Sequence, residues 1–199
     1  MPKTNLRRLT MAAMLGAIAF ILMYFKVSVP VLSPFADLDL SALPELFGGF
    51  ILGPLGGVLI IVIKLVLKLV FQGTNSMFTG EVQNLLLSLA YVLPAVLYYR
   101  RHRTKKGAVI GLVLGSVCSI VVAVITNLYL IFPAYMKLYG MDWESILGAF
   151  SAANPWIKDI PTMVAFSVVP FNLLSRAITS LLVFLLYKKL SVPMKHLIQ

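Results

Sequence analysis

The sequence predicts an all-α integral membrane protein, because long apolar runs alternate with short polar segments. Of its 199 residues, 60% are hydrophobic and only 12% are charged, whereas about 25% of the residues of a soluble domain are charged. Several runs reach the roughly 20 residues that cross the hydrocarbon core of a bilayer as a helix. Acidic and basic residues also fall in different breaks between these runs, as they do on the two sides of a membrane.

The charge distribution predicts the orientation of the chain. Lysine and arginine near the ends of membrane spans stay in the cytoplasm, so we expect the carboxylates to face outward. The net charge of +10 is explained by attraction to the anionic inner leaflet of the lipid bilayer, and no nucleic-acid partner is expected. The basic breaks hold Lys3, Arg7 and Arg8, then Arg100, Arg101, Arg103, Lys105 and Lys106, then Lys188, Lys189 and Lys195; the acidic breaks hold Asp37, Asp39, Glu45, Glu81, Asp142, Glu144 and Asp159.

Residues 44–72 decide the number of spans. Read as one helix, they give five spans and place the two termini on opposite sides of the membrane. The run Gly53-Pro54-Leu55-Gly56-Gly57 interrupts them, and proline inside a helix costs about 3 kcal/mol. We therefore predict two helices here, and a single domain over residues 1–199 with six transmembrane helices and both termini cytoplasmic. The short helix of about 44–53 must tilt, extend irregularly or pack inside the protein.

The segments between the predicted spans indicate where the protein acts. The spans cover about 9–26, 44–53, 54–72, 81–100, 107–135 and 161–189. The first run has no small-residue cleavage site after it and is expected to remain as a span. Outer loops of about 27–43, 73–80 and 136–160 are rich in Pro, Gly, Asp, Asn and aromatic residues, whereas the inner connections are short. This asymmetry favours a function at the outer face.

Polar side chains inside the spans are the candidate ligand-binding residues, because such residues are costly in a membrane and usually face the protein interior. Glu81 and Asn84 are three residues apart and share one helical face. Asn127 lies near the outer end of the fifth span, and Asn172 and Ser175 share a face of the last. Asparagines from several helices would suit the edge of a planar heterocycle. Hydrogen bonds that hold helices together are the alternative explanation.

Two further groups have two explanations each. Lys64 and Lys68 lie one turn apart on the third span; they face a ligand site or extend toward the membrane interface. Ala13, Gly16 and Ala17 form a stripe of small residues on the first span. Such a stripe lets another helix approach closely, and that helix belongs either to a partner subunit or to the chain itself.

Absent motifs argue against an enzyme. The sequence has no G-x-x-x-x-G-K-[ST] loop for a nucleoside triphosphate and no His/Cys cluster for zinc. Both histidines, His102 and His196, lie in basic segments, so no Ser–His–Asp arrangement is expected. Six spans without an internal repeat are also fewer than a complete secondary transporter usually has. The chain is therefore expected to be part of a larger machine, with no cofactor and no metal of its own.

The order of several short motifs resembles one family over nearly the whole chain. These motifs begin with DLSALPELFGGFILGPLGGVL at residues 39–59 and continue with Ile63-Lys64, Gly80-Glu81, Asn84, Tyr91 to Pro94, Lys106 to Gly111, Pro133, Lys137 to Met141, Asn154-Pro155 and Val169 to Leu174. Together they are similar to the substrate-binding S components of energy-coupling factor (ECF) vitamin transporters. The riboflavin-specific branch of that family fits best.

The resemblance implies a six-helix subunit that captures riboflavin from outside as a transported ligand. It also implies a transmembrane coupling subunit and two cytoplasmic ATPase subunits as partners, in the bacterial plasma membrane. By position, Asn127 and Asn172 would hydrogen-bond the isoalloxazine ring. The full expected ligand set is Asp39, Leu40, Leu43, Lys64, Glu81, Asn84, Asn127, Asn172 and Ser175, and the expected contact with the coupling subunit is Ala13, Gly16 and Ala17.

The last helix departs from the family pattern. The family commonly reads Asn-Leu-Leu-Lys-Gly, whereas this chain has Asn172-Leu-Leu-Ser175-Arg176. Arg176 supplies a cation one residue later, which is about 100° further round a helix. An S component for another vitamin or a nucleobase-like ligand, and a membrane scaffold without a ligand, remain the alternatives. An enzyme of membrane lipids is more distant.

Overall fold

In a computed structural model, the backbone is described for residues 3–74 and 76–198 and the side chains for residues 6–74 and 76–186. The side chains of Lys3, of His196 and of the predicted basic tail, Lys188, Lys189 and Lys195, therefore lie outside the described residues. In chain order, the elements are α1 (Lys3–Tyr24), β1 (Val27–Ser28), β2 (Asp37–Leu38), α2 (Ala42–Leu52), α3 (Pro54–Gln72), α4 (Thr79–Arg101), α5 (Lys105–Thr126), a π-helical segment (Asn127–Ile131), α6 (Phe132–Tyr139), α7 (Trp143–Ala153), α8 (Ile160–Met163), a second π-helical segment (Val164–Val168) and α9 (Val169–Ile198).

The predicted class of an all-α membrane protein is confirmed. Five helical stretches of the described residues are long and apolar enough to cross a membrane, and they are Leu6–Tyr24, Pro54–Gln72, Thr79–Arg101, Lys105–Tyr139 and Ile160–Leu186. The helix α2 is apolar but shorter than these five. Many large apolar side chains on the long helices are exposed, as expected for surfaces that contact lipid rather than water.

The turn predicted between α2 and α3 lies at Gly53. Its φ of 93° is in the region that favours glycine. Pro54 then occupies the first turn of α3, where a backbone N–H has no partner within the helix, so the missing N–H of proline costs no hydrogen bond. The helix α2 packs inside the protein, with most of its residues buried. A Cβ atom at Gly49 would lie 2.5 Å from Cγ2 of Val96, so α2 and α4 are in close contact. This packing agrees with the expectation that a helix too short to cross must be covered.

The two ends of the helix bundle differ. At one end, Gly53 lies close to the guanidinium of Arg100, so the α2–α3 turn and the basic α4–α5 connection are neighbours. We call this the basic end. At the opposite end, β1 and β2 form a two-stranded antiparallel hairpin that pairs Val27 with Leu38. We call residues 25–41 the hairpin segment. A cavity described below opens on this side of the bundle, which we call the cavity end.

The expected outer loop of 136–160 contains the helix α7, which the sequence does not predict. Asp142 caps its start, because its carboxylate accepts a hydrogen bond of 2.7 Å from the backbone N–H of Ser145. Hydrogen bonding from the side chain of Ser145, and then from its backbone, holds the pKa of the Asp142 carboxyl below its usual range. Ile146 and Phe150, four residues apart, are the buried side chains of α7. Trp143 and Leu147 pack beside them against the same core. This apolar face covers only about two turns within a segment whose flanks are rich in turn-forming and polar residues, so the whole segment resembles a loop in the sequence.

Glu45 is a second difference. The charge pattern places all seven carboxylates in outward-facing breaks, but Glu45 lies in the first turn of α2 and is fully buried. Its carboxylate forms an ion pair with the ammonium group of Lys64, which is also fully buried. The expectation that Glu45 faces outward is therefore wrong. A carboxylate becomes tolerable inside a membrane bundle only when a cation lies beside it.

Candidate ligand-binding cavity

A cavity of about 620 Å³ opens at the cavity end of the bundle. The hairpin segment and α2, α3, α4, α6, α7 and α9 all contribute to its wall, as does the first π-helical segment. Pockets that hold small organic molecules usually have volumes of about 300–1,000 Å³ and a mostly apolar lining with a few polar groups. This cavity has both properties.

One part of the wall is aromatic. Phe35 of the hairpin segment makes edge-to-face contacts with Tyr135 and Phe150, at ring-centroid distances of 5.7 and 5.4 Å. Phe132 contacts Phe150 in the same way at 5.9 Å. All four rings line the cavity. They join the hairpin segment to α6 and α7 and present flat apolar surfaces on which a planar ring would stack.

The polar part of the lining includes several carboxamide side chains. Asn84, Asn127 and Asn172 all line the cavity, as the sequence predicts for residues that read a heterocycle edge. Asn127 and Asn172 each donate one N–H to a carbonyl of their own helix, at 2.7 and 2.9 Å. Each keeps its oxygen and its second N–H for another partner. Gln83 also lines the cavity, and its buried Oε1 accepts no hydrogen bond from the described residues.

Both cavity-lining asparagines on the later helices are associated with π-helical segments. Asn127 begins the first segment, and Asn172 donates to Val168, the last residue of the second. A π-helical turn shifts the register of the residues that follow it, and such turns are frequent at functional sites. Ser167 of the second segment also donates a hydrogen bond to the carbonyl of Leu32 in the hairpin segment. The sequence gives no signal for these segments.

The carboxylate of Glu81 is paired with groups of the protein itself. Its carboxylate pairs with Lys68 and accepts hydrogen bonds from the hydroxyls of Thr74 and Ser76 at 3.2 and 3.1 Å. Lys68 also donates to the carbonyl of Gly73 at 2.9 Å. This network fixes the connection between α3 and α4 at the rim of the cavity. The sequence leaves the role of Lys68 open, and its pairing with Glu81 across two helices becomes visible only in the fold.

Lys64 lies behind the cavity wall and organises it. Its ammonium group pairs with Glu45 and donates to Ser41 at 3.1 Å and to Oδ1 of Asn84 at 2.6 Å. Ser88 is a more distant acceptor at 3.5 Å. Three of these partners, Ser41, Asn84 and Ser88, line the cavity, whereas Lys64 does not. Because its oxygen is occupied by Lys64, Asn84 presents its N–H groups to a ligand.

Arg176 is a buried charged group of the cavity lining. It is only 8% exposed, and its guanidinium carbon lies 4.8 Å from the ring centroid of Tyr91. The Tyr91 hydroxyl contacts that of Ser180 at 2.6 Å, which fixes the tyrosine ring beneath the cation. Despite its offset from Ser175 along the helix, Arg176 lines the same cavity as Ser175.

The cavity brings together most of the residues that the sequence selects. Leu40, Leu43 and Lys64 do not line it, and Leu43 instead packs against the core formed by α2, α3, α4, α5 and α9. Phe35 and Gln83 are cavity residues that the sequence does not single out. For Tyr135 the sequence allows two explanations, stacking on a ligand ring or an aromatic belt at the membrane interface, and its ring lines the cavity. The predicted residues that line the cavity are Asp39, Glu81, Asn84, Asn127, Asn172 and Ser175.

The small residues of α1 divide between two faces. Gly16 is buried, and a Cβ atom there would lie 2.6 Å from Cγ2 of Ile63 on α3. Ala13 is exposed and Ala17 is half-buried. The close approach that Gly16 permits is therefore made within the chain. Ala13 and Ala17 lie on the side of α1 that faces away from the bundle.

A bundle of apolar helices around an aromatic and amide-lined cavity defines a polytopic membrane protein with a small-molecule site. The chain belongs to the family of substrate-specific components of ECF transporters, whose family model matches residues 7–187. It is 29% identical to the riboflavin transporter RibU of Staphylococcus aureus (strain TCH60) over 191 residues, which cover 96% of this chain and 94% of the relative. Identity to the riboflavin transporter FmnP of Bacillus subtilis (strain 168) is 27% over 189 residues, with 94% and 93% covered.

A solved structure has the same fold. It is described as the S component of a bacterial ECF transporter, and it superposes with a TM-score of 0.76 at 28% sequence identity. The match covers 96% of this chain and 99% of the other. A similarity of this extent means that the whole bundle, and not a single helical hairpin, is shared.

Proposed function

We propose that this chain is the riboflavin-binding S component of an ECF transporter. The observation that carries the proposal is the cavity, in which aromatic rings and carboxamides from distant parts of the chain meet at one end of a membrane bundle. An isoalloxazine ring is flat and largely apolar, with carbonyl and imide groups along one edge. Ring surfaces such as Phe35 and Tyr135 suit its faces, and the asparagines suit its edge. The relatives named as riboflavin transporters support the same ligand.

In the proposed orientation, the cavity end faces the exterior and the basic end faces the cytoplasm of a bacterial cell. The basic residues between Arg100 and Lys106 then lie against the inner leaflet, as lysine and arginine near span ends generally do. We count the short helix α2 as a sixth span, covered by its neighbours, which places both termini in the cytoplasm. A riboflavin molecule would then enter the cavity beside the hairpin segment.

Import requires partner subunits in this proposal. The sequence contains no phosphate-binding loop, so we assign ATP hydrolysis to two cytoplasmic ATPase subunits, which act through a transmembrane coupling subunit. The exposed and half-exposed positions Ala13 and Ala17 on α1 are the proposed contact with the coupling subunit, because small residues let helices approach closely in a membrane. Ligand binding would favour one conformation of this chain only as far as riboflavin binds the two conformations with different affinity.

Flavin retention tests the proposal directly. The protein is purified in detergent from bacteria that synthesise riboflavin, and its absorbance spectrum is recorded after gel filtration. We expect a yellow protein whose flavin spectrum elutes with the protein peak. After the flavin is removed, added riboflavin should lose fluorescence as it binds, and unlabelled thiamine or biotin should not compete.

Two results would contradict the proposal. A colourless preparation that also leaves riboflavin fluorescence unchanged would exclude riboflavin as the ligand. Binding of a different vitamin by a protein that does not bind riboflavin would assign the cavity to that vitamin instead. A membrane protein of similar size without this cavity, purified in the same detergent, controls for partition of riboflavin into micelles.

A further inference from the structure

One buried cation in the cavity lining forms no ion pair within the described part of the chain. Lys26 pairs with Asp37 at 3.1 Å, and Lys68 pairs with Glu81. Asp39 accepts a hydrogen bond from the backbone of Ser41. Arg176 lines the cavity and forms no ion pair with any carboxylate in the described part of the chain.

Burial makes this unpaired cation significant. Arg176 is 8% exposed, and its Nε is buried without a hydrogen-bond acceptor among the described residues. Buried charges in proteins are normally paired, because removing an ion from water is costly. The face of the Tyr91 ring lies 4.8 Å from the guanidinium carbon, and the carboxylates of Glu45 and Asp39 attract the cation without forming an ion pair with it. Together they compensate only part of this cost. An electron-rich group from outside the chain would supply the rest.

The position of Arg176 also restricts the shape of that group. A guanidinium is planar and donates hydrogen bonds in a fixed fork, which suits two acceptor atoms that lie in one plane. Stacking on Tyr91, whose hydroxyl is held by Ser180, limits the orientations that the fork adopts. The pyrimidine side of an isoalloxazine carries carbonyl oxygens and a ring-nitrogen acceptor in one plane. The hydroxyls of a ribityl chain are neutral, flexible and able to donate as well as accept, so they do not require a cation.

We infer that Arg176 is a specificity-determining residue that binds the acceptor edge of the flavin ring and not its ribityl chain. This inference rests on the proposed function, since it assigns one residue to one part of the proposed ligand. It gives Arg176 a direct role although the residue lies one position after the site that the family pattern marks. It also implies that the cavity prefers heterocycles with a carbonyl-rich edge over rings that carry only amino groups there.

Variants at this position separate charge from shape, and two ligands separate ring from chain. Affinity for riboflavin and for lumiflavin, which has a methyl group in place of the ribityl chain, is measured by fluorescence quenching. For Arg176→Gln we expect affinity to fall by about 10-fold to 100-fold, and by the same factor for both ligands. Arg103→Gln, at an exposed arginine of the basic end, is the matched control and should bind both flavins like the wild type.

Arg176→His provides a test that does not depend on comparing different proteins. Histidine is cationic at acidic pH and neutral at alkaline pH, so this variant should bind riboflavin more tightly at about pH 5.5 than at about pH 8. The wild type and Arg103→His should show no such gain on acidification. This test stays valid if Arg176→Gln fails to fold, because each measurement is made on the same folded variant.

The outcomes distinguish this inference from the proposed function. If the wild type binds neither flavin, both are overturned. If the wild type binds riboflavin but the loss in Arg176→Gln disappears with lumiflavin, Arg176 contacts the ribityl chain and the inference is wrong. It is also wrong if Arg176→His follows the wild-type pH profile, because the charge at this position would then have no effect on binding.

Discussion

At the scale of single residues, the cavity wall depends on charges that do not line it. Lys64 and Glu45 are fully buried and paired, and Lys64 also holds the oxygen of Asn84. A buried pair is costly to break, because the remaining partner keeps its charge without compensation. The orientation of Asn84 and the stability of the bundle are therefore coupled through one ammonium group.

The Lys64–Glu45 pair gives a stability prediction. Lys64→Met should lower the free energy of unfolding by about 3–5 kcal/mol, because Glu45 is left buried and unpaired. Lys64→Met combined with Glu45→Leu should recover most of that loss, since two apolar residues then pack together. Thermal unfolding in detergent, followed by circular dichroism, measures both. Equal destabilisation in the single and double variants would show that the ion pair is not the source of the effect.

The asparagines give a prediction about binding. Asn127→Ala and Asn172→Ala should each weaken riboflavin binding by about 1–2 kcal/mol, the usual loss for a hydrogen bond to a ligand, while the melting temperature changes little. Asn154→Ala, at an asparagine outside the cavity, is the control for removal of an amide. Unchanged affinity in both cavity variants would remove Asn127 and Asn172 from the binding site.

The sequence identifies some of these residues and not others for a physical reason. Asn127 and Asn172 stand out because a carboxamide inside an apolar span is costly unless it has a polar partner. Lys64 stands out equally, yet its ammonium group is bound by residues of α2 and α4 and lies behind the cavity wall. Phe35 does not stand out, and Tyr135 stands out only ambiguously, because an aromatic side chain near a span end suits the membrane interface as well as a cavity.

At the scale of elements, helix packing in this bundle depends on glycines at contact points. Gly49 lies where α2 meets α4, and a Cβ atom there would approach Val96 to 2.5 Å and Val92 to 3.3 Å. Both neighbours are β-branched and stiff. The position of α2, and with it Ser41 and Glu45, follows from this close approach.

Gly49→Ala should therefore destabilise the protein by about 1–3 kcal/mol through overpacking. Gly148 on α7 is the matched control, because a Cβ atom there would meet nothing within 4 Å. Gly148→Ala should be neutral or stabilising, since alanine favours a helix by about 0.5–1 kcal/mol over glycine. The two melting temperatures are compared in the same detergent. A Gly49→Ala variant as stable as Gly148→Ala would mean that α2 moves freely away from α4.

The elements differ in how far the sequence predicts them. The long spans and the turn at Gly53 follow from apolar length and from the conformations open to glycine and proline. The helix α7 lies within a segment that the sequence predicts to be an outer loop, and only two of its own side chains, Ile146 and Phe150, are fully buried. The π-helical segments depend on backbone register within continuous helices, which apolar periodicity does not report.

At the scale of the whole molecule, the side of α1 that faces away from the bundle is a candidate docking surface for the coupling subunit. Ala13→Trp and Ala17→Trp should reduce riboflavin uptake by whole cells by at least about 10-fold, because a large side chain prevents close helix contact. Binding to the purified variants should be unchanged, since neither residue lines the cavity. Val113→Trp, at an exposed position on α5, controls for a bulky residue on the lipid-facing surface.

Normal uptake in both alanine variants would assign the stripe to packing within the chain, as already holds for Gly16 against Ile63. Loss of uptake together with loss of binding would instead indicate misfolding. The two measurements, on cells and on purified protein, therefore separate a contact with a partner from a contribution to the fold.

The hairpin segment has a kinetic consequence. Phe35 contacts Tyr135 and Phe150, and Leu32 accepts a hydrogen bond from Ser167, so three separate regions hold this segment against the mouth of the cavity. These contacts hold the segment beside the opening and keep the exit narrow for a captured molecule. We expect long residence times and slow exchange with competitor, so that dissociation, and not the rate of encounter, sets how efficiently scarce vitamin is retained.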